Sequence, residues 1–259
     1  MTSPLIDSHA HLDMLDDPAA ALEQARQAGV VQVVTIGIDL KSSRAAARLA
    51  AEHEEVFHTV GVHPHDAAKT DQAAWSQLER LAREGGAVAI GECGLDYFRN
   101  YSPKQDQRRA FARQIELALE LGLPLVIHDR DAHEEVARTL RESGAEKVGG
   151  IVHCFSGDLA MAEQVLELGF HLGITGTITF PKNQALRELV RRVPPERLVV
   201  ETDCPFLTPV PHRGRPNQPA YVRYAAQELA RCLEMTEDEL CRLVCANTRR
   251  VLGLPEPGA

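Results

Sequence analysis

A chain of 259 residues that is 44% hydrophobic and 25% charged, with no long Pro/Gly tract and no block of like charge, can bury a large apolar core, which excludes a disordered or fibrous protein. Its formal net charge of -9 argues against a protein held to nucleic acid by a broad basic surface. Cations bound in a carboxylate-lined pocket would reverse the local sign, so an anionic substrate is not excluded.

The elements follow from a steady alternation of short apolar, β-branched runs with longer amphipathic ones. In chain order the pattern predicts a strand over 4–9, a helix over 16–28, a strand over 31–37 and a helix over 42–54. A strand over 56–60, a helix over 71–84, a strand over 86–91 and a helix over 103–121 come next. The second half repeats the alternation: strand 124–128, helix 132–143, strand 148–152, helix 158–168, strand 171–174, helix 184–191 and strand 198–201. Helices over 217–234 and 236–248 finish the chain. Local signals agree: Asp71 precedes a helical run, Pro103 suits a first helical position, Gly144 and Gly169 follow helix ends, and Thr236 and Glu239 have the spacing of a capping box. Candidate ligands end the first, fourth, fifth, sixth and eighth strands. A closed barrel directs all five into one mouth, whereas an open sheet would spread them over roughly 30 Å. The expectation is therefore an α/β protein with a (β/α)8 TIM barrel of the metal-dependent hydrolase type, one catalytic domain over 1–254 and a short tail over 255–259.

The N-terminus runs from Met1 into the strand-like Leu5-Ile6-Asp7 without a basic region followed by an apolar stretch, so no signal peptide is expected. No apolar run approaches the ~18 residues needed to span a bilayer. Both point to a cytoplasmic protein with no membrane partner and no evident obligate protein partner. The six cysteines match no zinc-finger spacing and read as reduced thiols.

The chemistry sits at the strand ends. His9 and His11 are two apart, so a strand directs both imidazoles to one side with Ala10 opposite; the bland alternative is a surface loop. Glu92 directly follows an apolar strand, where a carboxylate needs compensation, and its two oxygens can bridge two cations; otherwise it is a salt-bridged or solvated loop acid. Asp96 either supports such ligands or fixes its loop. His128 and His153 occupy the same position on consecutive strands. Asp203 can hold a metal and orient or deprotonate water, or can cap structure. Glu201 by periodicity shares its face or joins an internal ion-pair network. Cys93, Cys154 and Cys204 each follow a proposed ligand and should turn towards the helices as packed thiols. Cys241 and Cys245 suit apolar packing on a helix. Arg130 can contact a phosphate or compensate an acid; Arg213 and Arg215, with the amides opening the helix near Asn217, can receive phosphate oxygens or form an ordinary exposed cap; Arg99, Lys104 and Lys182 are weaker candidates for the same rim.

Phosphate-loop, H-E-x-x-H, dinucleotide and G-x-S-x-G patterns are absent. What remains is a nitrogen and oxygen set of five or six groups, too many for one tetrahedral zinc and suited to two adjacent metals sharing a carboxylate.

Taken together, Asp7-Ser8-His9-Ala10-His11, Val62-His63-Pro64-His65, Gly91-Glu92-Cys93-Gly94-Leu95-Asp96-Tyr97, His128, His153-Cys154-Phe155-Ser156-Gly157, Glu201-Thr202-Asp203-Cys204-Pro205 and Arg215-Pro216-Asn217 resemble the TatD family of metal-dependent deoxyribonucleases, within the amidohydrolase-like barrel group. The resemblance spans nearly the whole chain. It implies that His9, His11, Glu92 and Asp203 hold one divalent metal and that Glu92, His128 and His153 hold another, the ions being zinc, manganese or magnesium. His63, His65, Arg130 and Asn217 would face substrate or support the ligands. It implies hydrolysis of DNA phosphodiesters, with a 3'-5' exonuclease as the expected activity and Asp203 and Glu92 as the catalytic pair; some relatives are associated instead with removing D-amino acids from transfer RNA. The acidic surface suggests compact contacts to single-stranded or frayed DNA ends. The competing readings are an esterase- or amidase-type hydrolase acting through the same metals, and a metal-stabilised binding protein without catalysis.

Overall fold

The computed structural model describes residues 3–256; residues 1–2, and residues 257–259 of the expected tail, lie outside the described residues. Eight strands run parallel in the order of the chain: β1 (Leu5–Ala10), β2 (Val30–Thr35), β3 (Val56–Val60), β4 (Ala89–Asp96), β5 (Leu125–Arg130), β6 (Gly150–Val152), β7 (Phe170–Ile174) and β8 (Leu198–Val200). Each parallel step needs a crossover, and helices supply it. These are α1 (Pro18–Gln27), α2 (Leu40–Glu52), α3 (Gln72–Glu84), α4 (Lys104–Leu121), α5 (His133–Glu142), α6 (Leu159–Glu167), α7 (Gln184–Val190), α8 (Val222–Leu233) and α9 (Glu237–Leu252).

The sheet is nearly closed into a TIM-barrel-like ring. Its last seam, between the ends of β1 and β8, is made by an isolated bridge from Ala10 to Cys204 and by hydrogen bonds from Asp203 N–H to the His9 carbonyl and from His11 N–H to the Cys204 carbonyl, each 2.9 Å. Two apolar clusters result. The larger lies between sheet and helices and includes Leu5, Ala10, Ile90, Leu125, Ile127, Val152, Leu172, Val200 and Leu229. The smaller fills the barrel with Ile6, Val34, Ile36, Ala89, Val126, Ile151 and Val199, and Cys245, Leu252 and Leu254 from the end of the chain complete it.

The period-2 rule explains which side chains reach the mouth. On β5, Val126 points inside, so His128 does too; on β6, Ile151 and His153 do the same. On β1 and β4 the pleat is interrupted. Ile6 packs inside and Ala10, four residues on, packs outside, with a register irregularity between Asp7 and Ala10. Ile90 and Cys93 likewise both face the helices across an irregularity in β4. Bulges of this kind re-aim side chains, here the His9/His11 pair and Glu92. Gly91 sits at the second one with φ 148, where a Cβ would collide with the Val126 carbonyl.

Several boundaries differ from the sequence reading. The fourth strand continues through Glu92 to Asp96, because it pairs with β5 on both sides of the bulge. Pro103 is the residue before α4 and not its first helical residue. The helix expected from 217 starts at Val222, after a single 3-10 turn over Pro219–Tyr221, so no long helix opens at Asn217. The last helix runs four residues beyond its expected end, to Leu252. Pro255 and Glu256 are fastened to the body: the Pro255 carbonyl accepts from Gln32 Nε2 at 2.9 Å, and Glu256 lies 3.1 Å from Arg249. The capping expectations at Asp71 and at Thr236 with Glu239 are met.

Candidate metal centre

At the carboxyl ends of the strands, His9, His11, Glu92, His128, His153 and Asp203 converge, joined by His63. Glu92 is buried at their centre. Its Oε2 lies 3.5 Å from His9 Nε2 and 3.8 Å from His11 Nε2. Its Oε1 lies 2.8 Å from His128 Nδ1, 3.3 Å from His153 Nε2 and 3.5 Å from His63 Nε2. One carboxylate thus addresses two groups of histidines, one with each oxygen. Asp203 Oδ1 completes the first group, 3.6 Å from His9 Nε2 and 3.4 Å from His11 Nε2. Three sets of donor atoms lie close enough to hold a cation: His9, His11 and Asp203; His9, Glu92 and His153; and His63, Glu92 and His128.

Three observations test whether such an ion suits these residues. Apart from the His128 Nδ1 contact, the separations at Glu92 and Asp203 are too long for good hydrogen bonds. They match the ~3.4 Å edge of a tetrahedron built on metal–nitrogen bonds of ~2.1 Å. Both ring nitrogens of His9, and Nδ1 of His11, are buried without a hydrogen-bond partner. Moreover, Glu92, Asp96, Glu201 and Asp203 form ion pairs only with histidines, and none with lysine or arginine. Buried carboxylates need a cation, and this pocket supplies the donor set for one.

The candidate ligands are braced from beneath. His153 Nδ1 faces Glu201 Oε1 at 3.2 Å, which leaves Nε2 directed at Glu92. Glu201 also accepts from Cys154 N–H at 2.6 Å, and Gly173 leaves it room, since a Cβ there would lie 2.5 Å from its Oε2. His128 Nε2 faces Asp96 Oδ2 at 3.3 Å while its Nδ1 faces Glu92. Asp96 performs both roles left open by the sequence: it orients His128 and His65, the latter at 2.7 Å, and accepts from the Phe98 and Arg99 amides of its own loop. A carboxylate behind a histidine fixes the ring and raises its basicity as a ligand. Asp7, wholly buried, accepts from Thr202 N–H at 2.8 Å and from its hydroxyl at 2.6 Å, tying the histidine strand to the Asp203 segment.

The electrostatics follow from burial and crowding. Burial alone would raise the Glu92 carboxyl, but His153, His63 and His128 together hold it well below its usual range. Asp203 is lowered too, with burial opposed by His11, His153 and His9. Burial pushes the imidazoles of His9 and His63 down, towards the neutral form that binds metals. Asp7 is pushed up to about 8, chiefly by burial. Asp203 follows the end of β8 with φ 57, a left-handed conformation, and its carboxylate lies in the mouth on the inward side that Val199 and Glu201 share.

The remaining sequence candidates divide. The His65 imidazole reaches the cluster through Asp96, and its backbone N–H donates to His63 Nδ1 at 3.1 Å. Arg130 is exposed at the rim, its guanidinium 4.1 Å from the centre of the Phe98 ring. Arg215 is exposed, and its backbone is engaged: its carbonyl accepts from the Thr208 hydroxyl at 2.6 Å and its N–H donates to the His212 carbonyl at 3.2 Å. Asn217 is buried, and its amide nitrogen donates to the Thr202 and Phe206 carbonyls, so it holds the Asp203 loop in shape. Cys93 and Cys204 pack among the apolar side chains as expected. Cys154 departs from that expectation: with φ 45 it leaves the strand, and its sulfur lies 3.8 Å from the Thr175 hydroxyl.

A parallel eight-stranded barrel with a mixed histidine and carboxylate cluster at its mouth defines the class of metal-dependent hydrolases on an amidohydrolase-like barrel. Comparison with known proteins narrows this. Residues 6–253 match the family model described as TatD related DNase, and the chain belongs to the TatD family of metal-dependent hydrolases. It is 39% identical over 250 residues to the uncharacterized metal-dependent hydrolase YabD of Bacillus subtilis, covering 95% of this chain and 98% of that one. It is 37% identical over 247 residues to the 3'-5' ssDNA/RNA exonuclease TatD of Klebsiella pneumoniae, covering 93% and 94%. Among solved structures, the TatD homolog YjjV of Escherichia coli superposes with a TM-score of 0.92 at 30% identity, over 97% of this chain and 98% of that one.

Proposed function

We propose that this chain is a divalent-metal-dependent 3'-5' exonuclease that hydrolyses phosphodiester bonds at single-stranded or frayed DNA ends. The observation that carries the reading is Glu92, whose two oxygens face separate histidine groups; the name of the Klebsiella relative supports the substrate class. His9, His11, Glu92 and Asp203 would hold one cation, and Glu92, His128 and His153 the other. When bound, such ions acidify a coordinated water and offset charge developing on phosphoryl oxygens.

The chain's own groups do the rest. Asp203, kept ionised by the surrounding histidines and partly open to the mouth, orients the attacking water and accepts its proton as the in-line displacement begins. Glu201 and Asp96 hold His153 and His128 in the tautomers that face Glu92. His63 accepts from the His65 N–H through Nδ1 at 3.1 Å, so its neutral ring carries the proton on Nε2 and presents a donor to a phosphoryl oxygen. Arg130 and Arg215 stand at the rim where the flanking phosphates would pass.

The test is release of nucleotides from end-labelled single-stranded DNA by metal-stripped protein, with magnesium, manganese or zinc restored separately. Asp203→Asn should keep its fold and lose about 100-fold or more in turnover. Near-wild-type turnover of the folded, metal-loaded variant would remove Asp203 from its role. No cleavage by metal-loaded wild type would move the assignment to another ester, such as an aminoacyl-transfer-RNA.

A further inference from the structure

The exposed large apolar side chains among the described residues are Met14, Phe98, Tyr101, Phe206 and Val210. Single exposed apolar residues scattered over a surface carry no message. These are not scattered: all five lie in segments that follow the carboxyl ends of β1, β4 and β8, on the face that holds the metal centre.

The three aromatic rings among them stand beside the site itself. Phe206, 51% exposed, has its ring centre 6.1 Å from that of His11, and its N–H donates to the Asp203 carbonyl at 2.8 Å. Across the mouth, Tyr101, 63% exposed, lies edge-on to His65 at 4.7 Å, and Phe98 is 55% exposed. The Phe98 loop is pinned by Asp96, the same carboxylate that orients His128. Cations are interleaved with these rings. Arg130 and Arg99 lie 4.1 and 5.5 Å from the Phe98 ring centre, and on the next loop Arg213 lies 4.0 Å from that of Phe180.

We propose that Phe206 on one side of the mouth, and Phe98 with Tyr101 on the other, are stacking platforms for unpaired nucleobases flanking the scissile phosphate, and that they make the enzyme select single strands. This rests on the nucleic-acid reading and deepens it. A solvated aromatic face wants a flat apolar partner, and the adjacent guanidinium groups want anions; a nucleotide supplies both, and every base offers a π-face whatever its sequence. In a duplex those faces are covered by neighbouring bases, so the platforms are useful only to a strand that has come apart. An apolar protein partner seated on the same rings would close the mouth over the catalytic cluster, which disfavours that occupant.

The experiment uses the full chain loaded with its effective metal. Substrates are a single-stranded oligonucleotide, the same oligonucleotide with base-free tetrahydrofuran residues at its last two positions, and a blunt duplex. Wild type should cleave the base-free end about tenfold less efficiently, mainly through KM. In Phe206→Ala, and in Phe98→Ala with Tyr101→Ala, cleavage of the intact strand should fall by a similar factor while the penalty for losing the bases shrinks. Phe206→Trp should restore the wild-type pattern. Equal cleavage of intact and base-free ends by wild type, or equal losses on both substrates in the alanine variants, would overturn the platforms and leave the nuclease reading standing. Failure of wild type to cut any oligonucleotide would remove both.

Discussion

Position 63 shows most clearly what a single side chain's surroundings decide. By distance alone His63 belongs with Glu92 and His128 as a third donor to a cation. Its hydrogen bond favours a donor instead, because Nδ1 accepts from a backbone amide that can only donate, and a neutral ring then carries its proton on the nitrogen that faces Glu92. Burial keeps the ring neutral, so that proton stays singular and directed. His63→Leu is expected to bind the same number of metal equivalents as wild type, measured by elemental analysis after dialysis, while turnover falls by about 10–100-fold through loss of a donor. Loss of one metal equivalent would make His63 a ligand. Nothing in Val62-His63-Pro64-His65 announces this tautomer. It depends on a backbone amide two residues on, held in place by a 3-10 turn that starts at Pro64.

Among the elements, strand ends carried most of what could be read in advance. His128 and His153 were legible because their strands are regular, so the inward parity of Val126 and Ile151 extends to them. Glu92 and the His9/His11 pair were legible as residue types but not by parity, since bulges reset the pleat just before each. A bulge depends on pairing with a neighbouring strand, and local propensity contains no trace of it. Asp203 was legible as a candidate ligand though its left-handed backbone was not, and the same conformation at Cys154 took that thiol out of the packing expected of it. The last helix shows the opposite case, with its capping box readable from Thr236 and Glu239 and its purpose hidden. It lies against β1 and β8, and Asn247 there donates to the Pro195 and Leu198 carbonyls at 2.9 and 2.8 Å, fastening the helix to the start of β8. Asn247→Ala removes both bonds and takes a donor from the buried Leu198 carbonyl, while the half-buried Pro195 carbonyl keeps the Leu198 N–H, an expected loss of about 1–2 kcal/mol in urea unfolding. A change below about 0.5 kcal/mol would mean that α9 is held by its apolar side chains alone.

For the molecule as a whole, the barrel separates its titrating groups by depth, and the two ends respond differently to pH. The mouth collects carboxylates and histidines that compensate one another. Towards the opposite end lies His171, buried at the start of β7 with neither ring nitrogen paired. Burial, reinforced by Arg197 and Arg250, depresses its pKa from 6.5 to about 4. A group whose folded pKa is depressed binds its proton more readily in the unfolded chain, so between about pH 6.5 and 4 acidification favours unfolding. The full shift corresponds to about 3 kcal/mol of stability, present above pH 6.5 and lost as the pH falls through 4. Because the mouth also holds buried histidines and carboxylates, the informative quantity is the difference between wild type and His171→Phe, each unfolded by urea at pH 7.5, 6, 5 and 4.5 under the same metal concentration. The variant should lose less stability on acidification, with the gap between the two curves widening below pH 6.5. Parallel curves would mean that His171 charges freely in the folded state, and the acid sensitivity of the fold would then reside in the mouth.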